Sequence, residues 1–311
     1  MAVCTSTVPE NGMAPDMETL LASSLHTPTL LETFHIPRFK LRLATIHEWG
    51  VKQGERLLDI GCGQGESSVA LASVVGNAGS IIALDTAQME YGHPFTMREA
   101  HEHIQKSVLG PIISFYPTDA PTFLAEIWKP NDAPIDAAVL CHSLFYFPNE
   151  AVVQSLFKSL SEAGISRIYV SEWSYTPSHQ TQLAHILAAR AQALYYRYKP
   201  ERQDGLREQN VRAGVTQQDI LQAAQSAGYS LSKERLITPE EDMLEGQFEV
   251  RFVLGNVFEQ RLSEENLPQE QEAEIRNIMQ QLRLTLEKPQ FSDSRNVRAM
   301  DVWCAVFELK E

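Results

Sequence analysis

A short apolar segment followed by a run of glycines constrains this chain more than any other feature of its sequence. Residues 56–60 (RLLDI) form a compact apolar run typical of a buried strand, and Gly61, Gly63 and Gly65 follow it directly. Residues 67–75 then have a helical composition. Glycines at the end of a first parallel strand let a ligand approach the backbone, and the next helix presents free N–H groups. The segment therefore predicts a nucleotide-type cofactor.

Further apolar segments alternate with helical segments through the first half of the chain. Strands separated by single helices form right-handed βαβ units, which assemble a parallel sheet covered on both faces. We therefore expect an α/β fold built on a doubly wound sheet. The later predicted strands are 80–85, 112–116, 137–141 and 167–172, and the helices between them include 96–108 and 149–164.

The second half of the chain is dominated by helical segments. Thr216 and Asp219 have the spacing of a capping box, which predicts that a helix begins there. The remaining predicted elements are helices at 180–198, 216–228, 240–260 and 268–287 and strands at 231–237 and 301–308.

The element pattern suggests one main domain with additions. We expect residues 1–40 to form an N-terminal arm and helical cap, of which 1–24 is a loose arm. Residues 41–311 then form the main domain. Helical lid insertions are expected near 174–214 and 240–296, with a mobile loop over 199–214 in the first.

The net charge and the cysteines of the chain limit which partners it can bind and in which cellular compartment we expect it. The 311 residues include 26 Lys and Arg against 40 Asp and Glu, a net charge of −14. Such a surface repels nucleic-acid phosphates and anionic membranes, so a small-molecule partner is expected, and the oligomeric state is left open. No CxxC pattern, signal peptide or long apolar run is present, which predicts free thiols, no metal site and a cytoplasmic protein. The cysteines are Cys4, Cys62, Cys141 and Cys304.

Two carboxylates beside the glycine run bear on the choice of cofactor. In the dinucleotide fingerprint G-x-G-x-x-G the third glycine would occupy the position of Glu66. A pyrophosphate there would meet Glu66 and Asp59, which is electrostatically unfavourable, whereas a cofactor with cationic groups suits both. Asp85, 20 positions after Gly65, is placed to bind ribose hydroxyls in either case.

The run from Asp59 to Gly65 (DIGCGQG) resembles the first motif, D/E-x-G-x-G-x-G, of the class I S-adenosylmethionine-dependent methyltransferases. The resemblance implies S-adenosylmethionine as the cofactor and a Rossmann-like sheet, mostly parallel with an antiparallel last strand. It also implies an adenine contact at 119–120 and a contact with the methionine part after the fourth strand. The cofactor-binding residues expected on this basis are Asp59, Gly61, Cys62, Gly63, Gly65, Asp85, Thr86, Asp119, Ala120 and His142.

Departures from the family's sequence motifs exclude some classes of methyl acceptor. The Asn/Asp-Pro-Pro-Tyr/Phe motif is absent after the fourth strand, where the chain reads CHSL over 141–144, which argues against methylation of nucleobase amines or protein glutamine. A small molecule methylated on oxygen or nitrogen, as in secondary metabolism, fits best. An oxygen acceptor needs a general base, for which His142 is the first candidate and His179 the second.

Two alternatives to methyl transfer stay open: an NAD-linked oxidoreductase of similar topology and a non-catalytic cofactor-binding subunit. Arg38 and Arg42 precede the first strand, where one of them could reach a cofactor carboxylate. His101 and His103 suggest a metal motif. On a helix, however, residues two apart diverge by about 200°, so a solvated face is the preferred interpretation.

Overall fold

The computed structural model describes residues 16–129, 133–199, 214–293 and 296–310. The strands are β1 (Arg56–Ile60), β2 (Ser80–Leu84), β3 (Ile113–Tyr116), β4 (Ala137–Cys141), β5 (Arg167–Trp173), β6 (Tyr229–Ile237) and β7 (Val302–Leu309). In these residues they form one sheet with the order β3-β2-β1-β4-β5-β7-β6. Strands β1 to β5 are parallel, and β7 runs antiparallel to both β5 and β6. The predicted α/β sheet with an antiparallel last strand is confirmed.

Helices pack against both faces of this sheet and extend beyond it. The first set is α1 (Met17–Ala22), α2 (Ile36–Trp49), α3 (Glu66–Val75), α4 (Met97–Lys106), α5 (Ala120–Thr122) and α6 (Glu150–Glu162). The second set is α7 (Leu183–Tyr198), α8 (Gln217–Ser226), α9 (Glu245–Val253), α10 (Asn256–Glu264) and α11 (Gln269–Leu286). Helix α8 begins with the predicted capping box, in which Thr216 and Asp219 bind each other's backbone N–H groups.

Both faces of the sheet are buried, because successive residues of a strand point to opposite faces. Leu58 of β1 packs in an apolar cluster with Phe157 of α6 and Ala224 of α8. Its neighbour Leu57 belongs to a second cluster, together with Val69 of α3. Strands buried on both faces are typical of covered parallel sheets. The carboxyl edge of the strands is therefore the place left for a ligand.

Helices α7, α9, α10 and α11 form a layer with its own apolar cluster. Tyr195 of α7, Val253 of α9 and Met279 of α11 are all buried in it. These helices fall within the segments predicted as lid insertions, so the insertions contain packed helices rather than extended loops.

The segment before α2 contacts the start of α9. Leu244 donates a backbone hydrogen bond to the Thr33 carbonyl at 3.2 Å, and the rings of Phe34 and Phe248 lie 5.2 Å apart in an edge-to-face pair. Helix α2 runs through position 40, so the N-terminal cap and the main domain share one continuous helix.

Part of the predicted loose arm over 1–24 is helical, and the prediction is wrong for that part. The Asp16 side chain accepts backbone hydrogen bonds from the first turn of α1, and Leu20 is fully buried. One cap and one buried leucine stabilise this helix, but so short an element has no apolar repeat by which the sequence could reveal it.

Two predicted segments fall outside the described residues. These are 1–15 of the arm and 200–213 of the loop predicted as mobile.

Over the part of the chain that the structure describes, no helix combines the length and apolar character needed to cross a bilayer. The strand predicted at 231–237 is confirmed as β6 and begins two residues earlier.

Candidate cofactor and acceptor site

A cavity of about 990 Å³ lies at the carboxyl ends of β1, β2 and β4. Strands β1 and β4 are neighbours in the sheet but not in sequence, so this edge is the topological switch point at which α/β sheets bind ligands. The volume is at the upper end of the usual range for ligand pockets. Of the predicted cofactor residues, those that line the cavity are Gly61, Cys62, Gly63, Asp85, Thr86, Asp119, Ala120 and His142.

The three glycines of the run serve different purposes. All three have positive φ, at 75° for Gly61, 54° for Gly63 and 93° for Gly65. A Cβ on Gly61 would lie 2.6 Å from Cβ of Ser143, and one on Gly65 would lie 2.5 Å from Cδ1 of Ile104. A Cβ on Gly63 would meet no atom within 4 Å. Only Gly63 therefore leaves open space at the cavity wall, and Gly65 is a packing residue that does not line the cavity.

The peptide at Gly63 is held from both sides. Its N–H donates to Oδ2 of Asp85 at 2.8 Å, and its carbonyl lies 2.8 Å from Nε2 of His101. The His101 ring is buried and stacks on Phe115 with 3.8 Å between centroids. Oδ1 of Asp85 accepts from the N–H of Ala87 at 2.8 Å. The prediction that His101 belongs to a solvated face is wrong, because the ring fills the space beside Phe115.

Asp59 lies beneath the glycine run rather than in the cavity. It is fully buried, and its Oδ2 accepts hydrogen bonds from the hydroxyls of Ser67 at 2.7 Å and Ser68 at 2.6 Å. Burial raises the pKa of Asp59 to about 6, against the lowering effect of the two serine hydroxyls. Asp59 therefore ties β1 to the first turn of α3, and the predicted direct contact with the cofactor has no support in this geometry.

The titration of Asp59 makes stability depend on pH. Between about pH 4 and pH 6 the folded chain keeps a proton on Asp59 that the unfolded chain has released, so stability falls as pH rises through this window. We expect a loss of up to about 3 kcal/mol in the free energy of unfolding. Asp59→Asn removes this part of the pH dependence, as urea unfolding at pH 4.5 and 7 will measure. The exposed Asp242→Asn is the control, and equal pH dependence in wild type and Asp59→Asn would contradict the assignment.

Two arginines from α2 neutralise the carboxylate that follows the glycine run. Nη1 of Arg38 and Nη2 of Arg42 lie 3.1 Å and 2.9 Å from Oε2 of Glu66, and Nε of Arg38 lies 3.2 Å from Oε1 of Glu245. Burial opposes the ionisation of Glu66, but the arginines outweigh it and lower its pKa. The expectation that Glu66 repels a pyrophosphate directly is therefore wrong, because its charge is already paired.

His142 lies where the sequence places it, but its chemistry differs from that of a general base. Its backbone has φ 54°, and its ring centroid is 4.6 Å from that of Trp173. Nδ1 is buried and has no hydrogen-bond partner among the described residues. Burial, followed by Arg42 and Arg38, lowers the pKa of His142 to about 3. Its imidazole is thus neutral and weakly basic at physiological pH.

The other predicted residues are spread along the cavity or lie outside it. Asp119 is exposed at the rim, where its Oδ1 accepts from the N–H of Thr122 at 2.8 Å, and Ala120 is buried behind it. Burial raises the pKa of the Cys62 thiol well above its ordinary value. His179 is exposed and does not line the cavity, so its position gives no support to a catalytic role.

Comparison with known proteins decides the family. Methyltransferase phomM' and methyltransferase phomM of Diaporthe leptostromiformis are each 33% identical to this chain over 346 aligned positions, covering 94% of it and 89% of their own length. The chain belongs to the class I S-adenosylmethionine-dependent methyltransferases. No family model matches the chain. A cyclopropane-fatty-acyl-phospholipid synthase-like protein from Lactobacillus casei shares the fold, with TM-score 0.74, 24% identity and coverage of 94% of this chain and 98% of its own.

This methyltransferase is an enzyme that uses S-adenosylmethionine, and the oxidoreductase alternative is not favoured. The geometry around Gly63 and Asp85 is compatible with this cofactor. Gly63 leaves the open space that a ligand requires, and the carboxylate of Asp85 stands beside it. The two arginines nearest the glycine run, Arg38 and Arg42, are already paired with Glu66.

Four residues of the helical insertions also line the cavity, and no sequence motif predicts them. His185 of α7, Met243 before α9, and Glu245 and Glu249 of α9 all line the cavity. They lie 100 to 200 positions from the glycine run and belong to no motif, so only the packing of α7 and α9 onto the sheet brings them to the site.

Proposed function

We propose that this methyltransferase methylates an amine on a small-molecule acceptor. The charge of the cavity carries the proposal, because its described lining holds more carboxylates than cations. The charged lining residues are Arg38 and Arg42 against Glu66, Asp85, Asp119, Glu245 and Glu249. The cofactor brings a sulfonium, an ammonium and a carboxylate, one net positive charge, which leaves carboxylate in excess. A positively charged acceptor is the ligand that this excess favours.

The glycine run and the ends of β2 and β3 are the proposed cofactor side of the cavity. Gly61, Cys62 and Gly63 bring backbone close to the ligand, Asp85 and Thr86 face the ribose, and 119–120 face the adenine. When bound, S-adenosylmethionine supplies a methyl group made electrophilic by the sulfonium. Arg38, Glu245 and Glu249 then lie on the side left for the acceptor. Support comes from the shared cavity lining of all these residues.

The residues of the chain have two tasks in this reaction: to hold the amine in line and to take its proton. Only the neutral amine is a nucleophile, so the bound ammonium must first lose a proton. Glu245 suits that step, because burial raises its pKa and its buried Oε2 has no hydrogen-bond partner in the part of the chain that the structure describes. His142, with a pKa near 3, is a better hydrogen-bond acceptor than base, so we assign it to orienting the amine. His179 has no proposed role.

Glu245→Gln is the variant that tests the acceptor. It keeps the shape of the side chain but removes the charge that binds the ammonium. We expect kcat/KM for an amine acceptor to fall about 10- to 100-fold, the loss of one hydrogen bond between charged groups, with cofactor affinity unchanged. Glu240→Gln is the matched control, since Glu240 pairs with Lys40 at the surface.

The assay compares amines with alcohols of the same carbon skeleton and measures S-adenosylhomocysteine by mass spectrometry. Turnover of the amines, reduced about 10- to 100-fold in Glu245→Gln and kept in Glu240→Gln, supports the proposal. Turnover of the alcohols alone would contradict the amine. Cofactor binding without turnover of any small molecule in a broad panel would contradict the acceptor class as a whole.

We propose a cytoplasmic location and a role in secondary metabolism as the setting of this reaction. Cys62, Cys141 and Cys304 are buried free thiols, which suits a reducing compartment. The net charge of −14 and the scarcity of cations along the described cavity lining argue against nucleic acid or anionic lipid as partner. Methylation of a purified nucleic acid by the enzyme would contradict this part of the proposal.

A further inference from the structure

A buried carboxyl group outside the cavity binds the wall that carries His142. Glu172, near the end of β5, is 3% exposed and does not line the cavity. Its Oε1 accepts a hydrogen bond from the N–H of Phe145 at 3.1 Å. Among the described residues no Lys or Arg pairs with it, and its hydrogen-bond partner is the backbone of Phe145.

The N–H that binds Glu172 lies in the first turn of the short 3-10 helix Leu144–Tyr146. First-turn N–H groups have no partner within their own helix, and Ser143 at the N-cap position supplies no side-chain hydrogen bond. The N–H of Phe145 donates to Glu172 instead. Glu172, a residue of β5, therefore caps the amino end of this helix.

The capped helix is part of the cavity wall beside His142. Phe145 and Tyr146 both line the cavity, and the backbone N–H of His142 donates to the carbonyl of Ser171 at 2.8 Å. Two successive residues of β5, Ser171 and Glu172, therefore fix this wall at two points. A third contact comes from outside β5, since the N–H of Gly214 donates to the carbonyl of Phe145 at 3.4 Å. Loss of the Glu172 contact therefore loosens the wall without releasing it.

We propose that Glu172 is a positioning residue for methyl transfer, which fixes the wall 144–146 against the acceptor without touching it. The inference rests on the proposed function in one respect, that rate measurements need an amine acceptor. Misplacement of a reacting group by about 1 Å costs up to about 100-fold in rate, so a positioning residue has a measurable effect.

Two substitutions separate the hydrogen bond from the buried volume. Burial raises the pKa of Glu172 to about 8, so the neutral acid, with one acceptor oxygen, predominates at pH 7. Glu172→Gln reproduces that group, with a carbonyl oxygen to accept from Phe145. Glu172→Leu keeps much of the volume but has no acceptor. Glu55→Gln, at the opposite edge of the sheet beside Arg167, is the control.

The expected result at pH 7 is a split between the two variants. In Glu172→Leu we expect a higher acceptor KM and a kcat/KM lower by about tenfold or more, with the cofactor Kd unchanged. Glu172→Gln and Glu55→Gln should stay close to wild type. Wild-type kcat/KM in the leucine variant would overturn the inference, and so would an equal loss of cofactor binding. If the leucine variant does not fold, Glu172→Asp, which withdraws the carboxyl group from Phe145, replaces it under the same criteria.

Hydrogen exchange tests the inference without any acceptor. The amide of Phe145 should exchange faster in Glu172→Leu than in Glu172→Gln, while amides of β4 stay protected. If the enzyme turns over no amine but this difference is seen, the acceptor proposal fails and the capping by Glu172 stands. Equal exchange in both variants overturns the inference whatever the acceptor is.

Discussion

Arginine in place of Gly63 should abolish binding of S-adenosylmethionine and leave the fold intact. The site has room for the first atom of a side chain, since a Cβ there meets nothing within 4 Å. That room belongs to the cavity, so the guanidinium fills it and repels the cationic cofactor. The φ of 54° is within the left-handed region that other residues can occupy, at a cost of about 1–2 kcal/mol.

Gly164→Arg is the matched control for this variant. Gly164 has φ 72°, and a Cβ there also meets nothing within 4 Å, but it follows α6 outside the cavity lining. Both variants carry similar backbone strain, so their thermal stabilities should be similar. Calorimetric titration should show cofactor affinity reduced at least about 100-fold in Gly63→Arg only. Wild-type affinity in Gly63→Arg would place the cofactor elsewhere.

Asp85→Ala is expected to weaken cofactor binding about 100-fold. The carboxylate holds the N–H groups of Gly63 and Ala87 at 2.8 Å each and lines the cavity where the ribose is proposed to lie. Its removal leaves two backbone donors without partners and loses the ribose contact. Hydrogen bonds to a charged group contribute about 1.5–3 kcal/mol each, so the loss corresponds to about two powers of ten in Kd.

Asp136→Ala tests whether this effect is specific. Asp136 also binds a backbone N–H through its carboxylate, that of Arg56 at 2.7 Å, but at the amino end of the sheet. Its loss should lower stability and leave cofactor affinity unchanged. Asp119→Ala should have an intermediate effect on affinity, because Asp119 is exposed at the rim. Affinity close to wild type in Asp85→Ala would contradict the placement of the ribose.

The sheet could be predicted because its signals are local. The strand segments are short apolar runs bounded by glycine and polar turns, and β4 is buried along its whole length. The capping box at Thr216 marks the start of α8 in the same way. Helix α1 could not be predicted because it has one capping aspartate and one buried leucine, and the leucine packs against residues distant in sequence.

The site could be predicted only where its residues adjoin the glycine run or follow a strand. Asp85 and His142 come directly after β2 and β4, so topology alone brings them to one edge. Glu66 and His101 were misread because their partners lie on other elements: Arg38 pairs with Glu66, and Phe115 stacks on His101. Spacing along a helix gives no information about such partners.

The contact between the N-terminal cap and α9 has a consequence for how selectivity can change. Arg38 and Glu245, paired at 3.2 Å, lie about 200 positions apart in the sequence, and Phe34 contacts Phe248 beside them. If the acceptor binds on the side proposed above, two distant segments of the chain form its wall together. A substitution near Arg38 should then alter substrate preference as one in α9 does, and exchanging α9 alone between related enzymes should not transfer that preference in full.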